Sequence, residues 1–176
     1  KDLNVTRNIF ASSNVVVSRD LAVVRDIYAS NITANKKLTV TEDIDALSNV
    51  NVTKDLNVTG NVFANSNVSV TKDLDILGNV YASNNLNVSK NIIVTGNVLA
   101  NSNIVVSNEA VIKGDLYTSG NAFISKELTV TQDLTASANV DVTKHLNVTG
   151  NVFANSNISV ANQLGVSGNA YVSKRL

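Results

Sequence analysis

The chain has 176 residues, with 14 Lys and Arg balanced by 14 Asp and Glu, so no general attraction to nucleic acid or to acidic surfaces is expected. It contains no Cys, Met, Trp or Pro, which excludes thiol chemistry, disulfides and cysteine-held metals, while 28 positions are Asn. No apolar run approaches the ~18 residues of a membrane span, and no signal peptide is visible.

From Lys1 the chain reads KDLNVT, RNIFAS, SNVVVS: an aliphatic residue third in each hexad, a smaller apolar residue fifth, polar residues first, second and sixth. Alternation across positions three to five predicts a short strand, and the polar residues between predict a corner. Helical spacing fails, because apolar residues at i, i+2 and i+6 do not share one helix face. The third-position residues run Leu3, Ile9, Val15, Leu21, Ile27, then Ile32, Leu38, Ile44 and every sixth residue to Leu176. One residue is missing between Ile27 and Ile32. A corner within 28–31 is therefore expected to be tightened, or the adjoining strand bent, since an uncorrected slip would turn an inward set outward.

Residues 54–71, KDLNVT-GNVFAN-SNVSVT, show the larger unit of three hexads with three corner types. The first corner is usually basic then acidic, the second often Gly-Asn (60–61, 78–79, 96–97, 150–151, 168–169), the third mostly Ser-Asn. Three corners per eighteen residues predict an all-β fold, a single-chain parallel β-solenoid of triangular section with about ten coils. At ~4.8 Å per coil the rod would be ~47 Å long. Gly and Asn at the corners suit a left-handed backbone. Three chains sharing one core is the alternative, but eighteen residues with three different corners already close a triangle within one chain.

LNVTGNVFANSN at 56–67 recurs unchanged at 146–157, and KKLTVT at 36–41 is echoed by KELTVT at 126–131. One continuous solenoid over 1–176 thus divides into two super-repeats of five coils, approximately 1–89 and 90–176. Lys1 opens a standard hexad and Lys174-Arg175-Leu176 starts another, so a longer parent chain or an end-to-end polymer of the chain with itself is expected.

The fourth position of the second hexad holds Phe10, Tyr28, Phe63, Tyr81, Leu99, Tyr117, Phe153 and Tyr171, interrupted by Asp45 and Thr135. Lying between two inward positions, these side chains point outward. They form a candidate lateral contact with another rod or a platform for surface glycans, or else stack on one another and shield the sheet. Lys1, Asp2, Arg19, Asp20, Lys54, Asp55, Lys72 and Asp73 would make adjacent ladders of opposite charge at the first corner, each pair contributing only ~0–1 kcal/mol. Asp73 with Asp75, or Glu42 with Asp43 and Asp45, lacks the loop spacing of an EF-hand calcium site.

His145, the one histidine, has no second His or Cys for a zinc site and is expected to be exposed at its corner. No Ser or Thr stands out as a nucleophile and no cofactor motif is present, so a non-enzymatic role is expected. Asn-x-Ser/Thr sequons at Asn4, Asn31, Asn51, Asn57, Asn67, Asn87, Asn147 and Asn157 are candidate glycan acceptors, though composition alone also produces such sequons. Those at 4, 51, 57, 87 and 147 fall in mid-strand, where access is expected to be poorer. The sixth position of the first hexad (Thr6, Val24, Thr41, Thr59, Leu77, Thr95, Lys113, Thr131, Thr149, Ser167) is an interrupted Thr column that raises ice binding.

The segments GNVYA at 78–82, GNVFA at 60–64 and GNVLA at 96–100 resemble the GNI-x-A signature of bactofilins, and the hexad rhythm carries the similarity along the whole chain. That resemblance implies a right-handed triangular β-helix that polymerises as a cytoskeletal filament. Left-handed hexapeptide acyltransferases place the small residue two before the large aliphatic, whereas here Leu56 precedes Val58. The Asn- and Thr-rich tandem arrays are also similar to repetitive shafts of viral, phage or cell-surface fibres. The leading expectation is a structural solenoid of an extracellular or virion-associated fibre. A bactofilin-like filament, and an adhesin-like glycan-binding or ice-binding module, are the alternatives.

Overall fold

A computed structural model describes residues 2–175. Lys1, assigned above to a corner, and Leu176, assigned to an inward position, lie outside the described residues. The described chain contains 27 strands and no helix. Most strands are three residues long, as in Leu56–Val58, Val62–Ala64 and Val68–Val70, because each hexad gives its other three residues to a corner.

Every strand pairing is parallel, and partners are eighteen residues apart except where the short turn intervenes, so that Val15 and Ile32, Leu21 and Leu38, and Ile27 and Ile44 are seventeen apart. Leu56 lies between Leu38 and Leu74, Val62 between Ile44 and Val80, and Val68 between Val50 and Leu86. Each coil's neighbours therefore come from its own chain, which settles the single-chain solenoid against a core shared by three chains. The first face has ten strands, from Leu3–Val5 to Gln163–Val166. The second and third faces form one 17-stranded sheet, because Ile9–Val17 and Ile27–Ala34 run through the corner between them without a break. The solenoid makes about nine turns.

The interior follows from strand alternation. In the coil 54–71, Leu56, Val58, Val62, Ala64, Val68 and Val70 are all buried, and the residue between each pair points out. The second inward place on the second face is nearly always Ala (Ala29, Ala46, Ala64, Ala82, Ala100, Ala136, Ala154), so the section is narrow there. Thr118 takes the same place and is fully buried; its hydroxyl donates to the Ser102 carbonyl at 2.6 Å, which satisfies the one buried polar side chain among the described residues.

The missing residue is absorbed at the corner between the second and third faces. Ile27 and Ala29 pair with Ile44 and Ala46, seventeen positions on, but Ile32 and Ala34 pair with Val50 and Val52, eighteen on. Ser30 alone thus spans what Leu47-Ser48 span in the next coil. The register against the first coil shifts between Ala11 and Asn14, so Ser12-Ser13 bulge opposite Ser30, which donates from Oγ to the Ser12 carbonyl at 3.3 Å. Ile27–Ala34 is accordingly a single strand bent through the corner, and Ile32 and Ala34 stay buried.

The corners correct one expectation. Among the described residues none, glycine or otherwise, has a positive φ, so Gly and Asn do not supply left-handed turns. Gly serves close approach instead. A Cβ on Gly78 would run into the Gly60 carbonyl oxygen and sit 2.8 Å from Asn61 Oδ1, and the Gly78 N–H donates to that same carbonyl at 3.1 Å.

Asn serves a ladder. At the third corner Asn31, Asn49, Asn67, Asn85, Asn103, Asn121, Asn139 and Asn157 stack in one column. In each step from Asn49 upward the backbone N–H donates to Oδ1 of the Asn one coil below, at 2.9–3.2 Å. Most of their Nδ2 groups donate to the same oxygen, for example Asn85 to Asn67 at 3.2 Å and Asn103 to Asn85 at 3.3 Å. The second corner runs a matching ladder through Asp26, Asp43, Asn61, Asn79, Asn97, Asp115, Asp133, Asn151 and Asn169. Asp replaces Asn there because the required group is Oδ1, which both possess. These bonds occupy corner N–H groups that strand pairing leaves over.

Candidate functional site: the outward column of the second face

The aromatic column forms as one line of cross-strand neighbours: Phe10 by Tyr28, Tyr28 by Asp45, Asp45 by Phe63, Phe63 by Tyr81, then Leu99, Tyr117, Thr135, Phe153 and Tyr171. Three ring pairs stack almost parallel, Phe10 on Tyr28 with centroids 5.2 Å apart, Phe63 on Tyr81 at 5.0 Å and Phe153 on Tyr171 at 5.1 Å. The strand spacing sets that distance. Within each segment the rings shield one another and still present their edges as an apolar stripe. Asp45 and Thr135 divide the column into these segments.

Beside the first segment lies a groove lined by Phe10, Ala11, Ser12, Tyr28, Ala29, Asp45 and Leu47. It adjoins the seventeen-residue turn, where Ser30 takes the shorter path beneath Leu47, and Leu47 is left two-thirds exposed. Sequence reading locates the slip but not the groove. The available signal was the apolar Leu47 at a corner where other coils carry a polar residue such as Asn65 or a small one such as Ser83.

This end of the column is negatively charged. The charge of Asp26 above all, then partial burial and the charges of Asp45, Asp43 and Glu42, raises the Tyr28 phenol above its ordinary pKa of 10.0. Because the folded pKa is the raised one, the associated stability is present below the ordinary tyrosine pKa and is lost as pH rises through the folded value. An ultraviolet titration of a chain with Tyr81, Tyr117 and Tyr171 changed to Phe is expected to show Tyr28 ionising late, and Asp26→Asn to move it furthest back. Ionisation at the ordinary value in both chains would contradict the charge assignment.

The first corner departs from the expected charge ladders. Among the described residues no Lys or Arg lies within ion-pair distance of a carboxylate, so the Lys and Asp columns do not pair; the one close approach is His145 Nε2 to Glu127 Oε1 at 3.8 Å. Two of the carboxylates serve the corner backbone instead: Asp20 Oδ1 accepts from the Lys37 N–H and Asp73 Oδ1 from the Asn91 N–H, both at 3.2 Å. His145 is half-buried rather than exposed, since it begins the strand His145–Val148 directly over Glu127, and its Nδ1 is buried without a partner. Among the described residues no three His, Asp or Glu converge as metal ligands.

The sequons sort opposite to expectation. Mid-strand Asn4, Asn51, Asn87 and Asn147 point outward and are exposed, and Asn57 is partly so. Asn31, Asn67 and Asn157 instead donate their Nδ2, the atom a glycan would occupy, into the ladder. Ladder membership, not strand position, decides access. The Thr6 to Ser167 column is exposed, but it sits in the bends along an edge and not on a flat strand face.

Comparison with protein families, with curated proteins and with solved structures finds no match to this chain.

Proposed function

We propose that this chain is a non-enzymatic structural rod, a β-solenoid segment of an extracellular or virion-associated fibre, joined end to end to further coils of its own kind. The observation that carries this reading is the repetition of one cross-section. Nearly every coil presents the same six inward places, the same Asn and Asp ladders and the same pairing edge to the next, so any coil can be followed by another without a new interface. The outward aromatic stripe supplies a line along which such rods bundle laterally. The GNVFA, GNVYA and GNVLA segments, which form strands of the second face, favour a bactofilin-like cytoskeletal filament as the variant of this reading.

Electron microscopy of the purified chain in neutral buffer, with solution mass measured in parallel, tests the proposal. Thin filaments with an axial repeat of about 24 Å, five coils of ~4.8 Å, are the expected result. A monodisperse short rod at all concentrations would overturn spontaneous end-to-end assembly of this segment.

A further inference from the structure

We propose that the gap at Asp45 in the aromatic column is a binding slot for a guanidinium group, the side chain of an arginine carried by a partner polypeptide. The walls are Tyr28 and Phe63, the cross-strand neighbours of Asp45 on either side. Rings one coil apart stack at 5.0–5.2 Å. Rings two coils apart therefore face each other across about 10 Å, with the short Asp45 side chain at the floor. Tyr28 and Phe63 remain 39% and 38% exposed, with each stacked on a ring only on the side away from Asp45.

A planar group inserted midway would lie about 5 Å from each centroid, inside the ~6 Å range of cation–π attraction. The sign of the charge follows from the surroundings. Asp26, Glu42, Asp43 and Asp45 all act on Tyr28, and none of them forms an ion pair among the described residues. Arg7 and Arg25 line a separate groove with Asn8 and Phe10 and are likewise unpaired among the described residues. Guanidinium fits better than ammonium, because it is flat, weakly hydrated and able to offer a carboxylate two donors at once. The column contains its own control. Thr135 stands between Tyr117 and Phe153 as Asp45 stands between Tyr28 and Phe63, with the same kind of walls and an uncharged floor.

The test is saturation-transfer difference NMR on the full chain, a ligand-observed method that reads binding whether the rods are single or polymerised. N-acetyl-arginine methylamide is the probe, with its lysine and citrulline counterparts alongside. The arginine probe is expected to bind saturably and more tightly than either counterpart. Asp45→Asn should weaken it about fivefold, the scale of one exposed ion pair. Asp45→Phe, which completes the stack, should abolish it, and Thr135→Asp should add a second site of similar affinity. Circular dichroism of each variant confirms that the coils are intact. Equal binding of arginine and lysine probes that Asp45→Asn leaves unchanged would overturn the proposal, as would a folded Thr135→Asp chain with no added site.

Discussion

Replacing Asn85 with alanine is expected to lower the unfolding free energy by about 2–3 kcal/mol, one of the largest losses available from a partly exposed position. Three bonds disappear together. The Asn103 N–H loses its acceptor at 3.1 Å, the Asn103 Nδ2 loses the same oxygen at 3.3 Å, and Asn85 no longer donates to Asn67. The stranded N–H is the costly part, because it lies in a corner where the coil below blocks access to water. Asn85→Asp keeps the acceptor and gives up only the Nδ2 donation, so about 1 kcal/mol is expected. Asp43 and Asp133 already hold the equivalent station at the second corner. Urea denaturation followed by far-ultraviolet circular dichroism would measure both, and equal losses for the two variants would refute the acceptor argument.

Deleting one residue should have an effect that depends sharply on where in the hexad it falls. Removing Ser66 shortens a corner and recreates the arrangement at Ser30, where the chain already runs a seventeen-residue turn with its inward set kept. A loss of about 1–2 kcal/mol is expected, the scale of a strained corner and one or two of its bonds. Removing Ser69 instead makes Val68 and Val70 adjacent, so one of them must leave the core. Exposing a valine costs roughly 1.5–3 kcal/mol, and the disrupted ladder adds about 1 kcal/mol for each bond lost, giving about 5 kcal/mol in all. Thermal unfolding distinguishes the two chains, and similar midpoints for both would show that the solenoid does not enforce strand register.

Much of this was legible because the signal is periodic. Leu56 and Val58, or Val62 and Ala64, declare an inward pair by alternation alone, and repetition every eighteen residues makes the coil closure readable. The aromatic column was legible for the same reason, since a residue between two inward places has only one direction to point. The ladders were not. Asn67 looks like any turn-forming Asn, and its real role depends on Oδ1 of Asn49 beneath it, a contact visible only once coils are stacked. The discriminating sign was chemical uniformity, Asn or Asp and never Ser at one station of the second corner, where a mere turn would accept all three. The half-burial of His145 is hidden for the same reason, because it sits over Glu127 one coil away. The groove at Leu47 arises from a difference in length between adjacent coils, which no single hexad displays.

The side-chain ladders also give the molecule a direction. In every step at the third corner the upper residue donates and the lower one accepts, from Asn49 on Asn31 to Asn157 on Asn139, so the amide dipoles line up head to tail like cells in series. Sever the rod at any level and the two fresh surfaces differ chemically. Strand backbone leaves donors and acceptors on both surfaces, but at the ladder stations one offers bare Oδ1 atoms and the other bare N–H groups. A same-sense meeting continues the ladder donor to acceptor, whereas a reversed meeting sets acceptor against acceptor at those stations. A heterologous contact of this kind does not close on itself, so anything assembled this way is a vectorial thread with two distinguishable tips, able to grow at unequal rates.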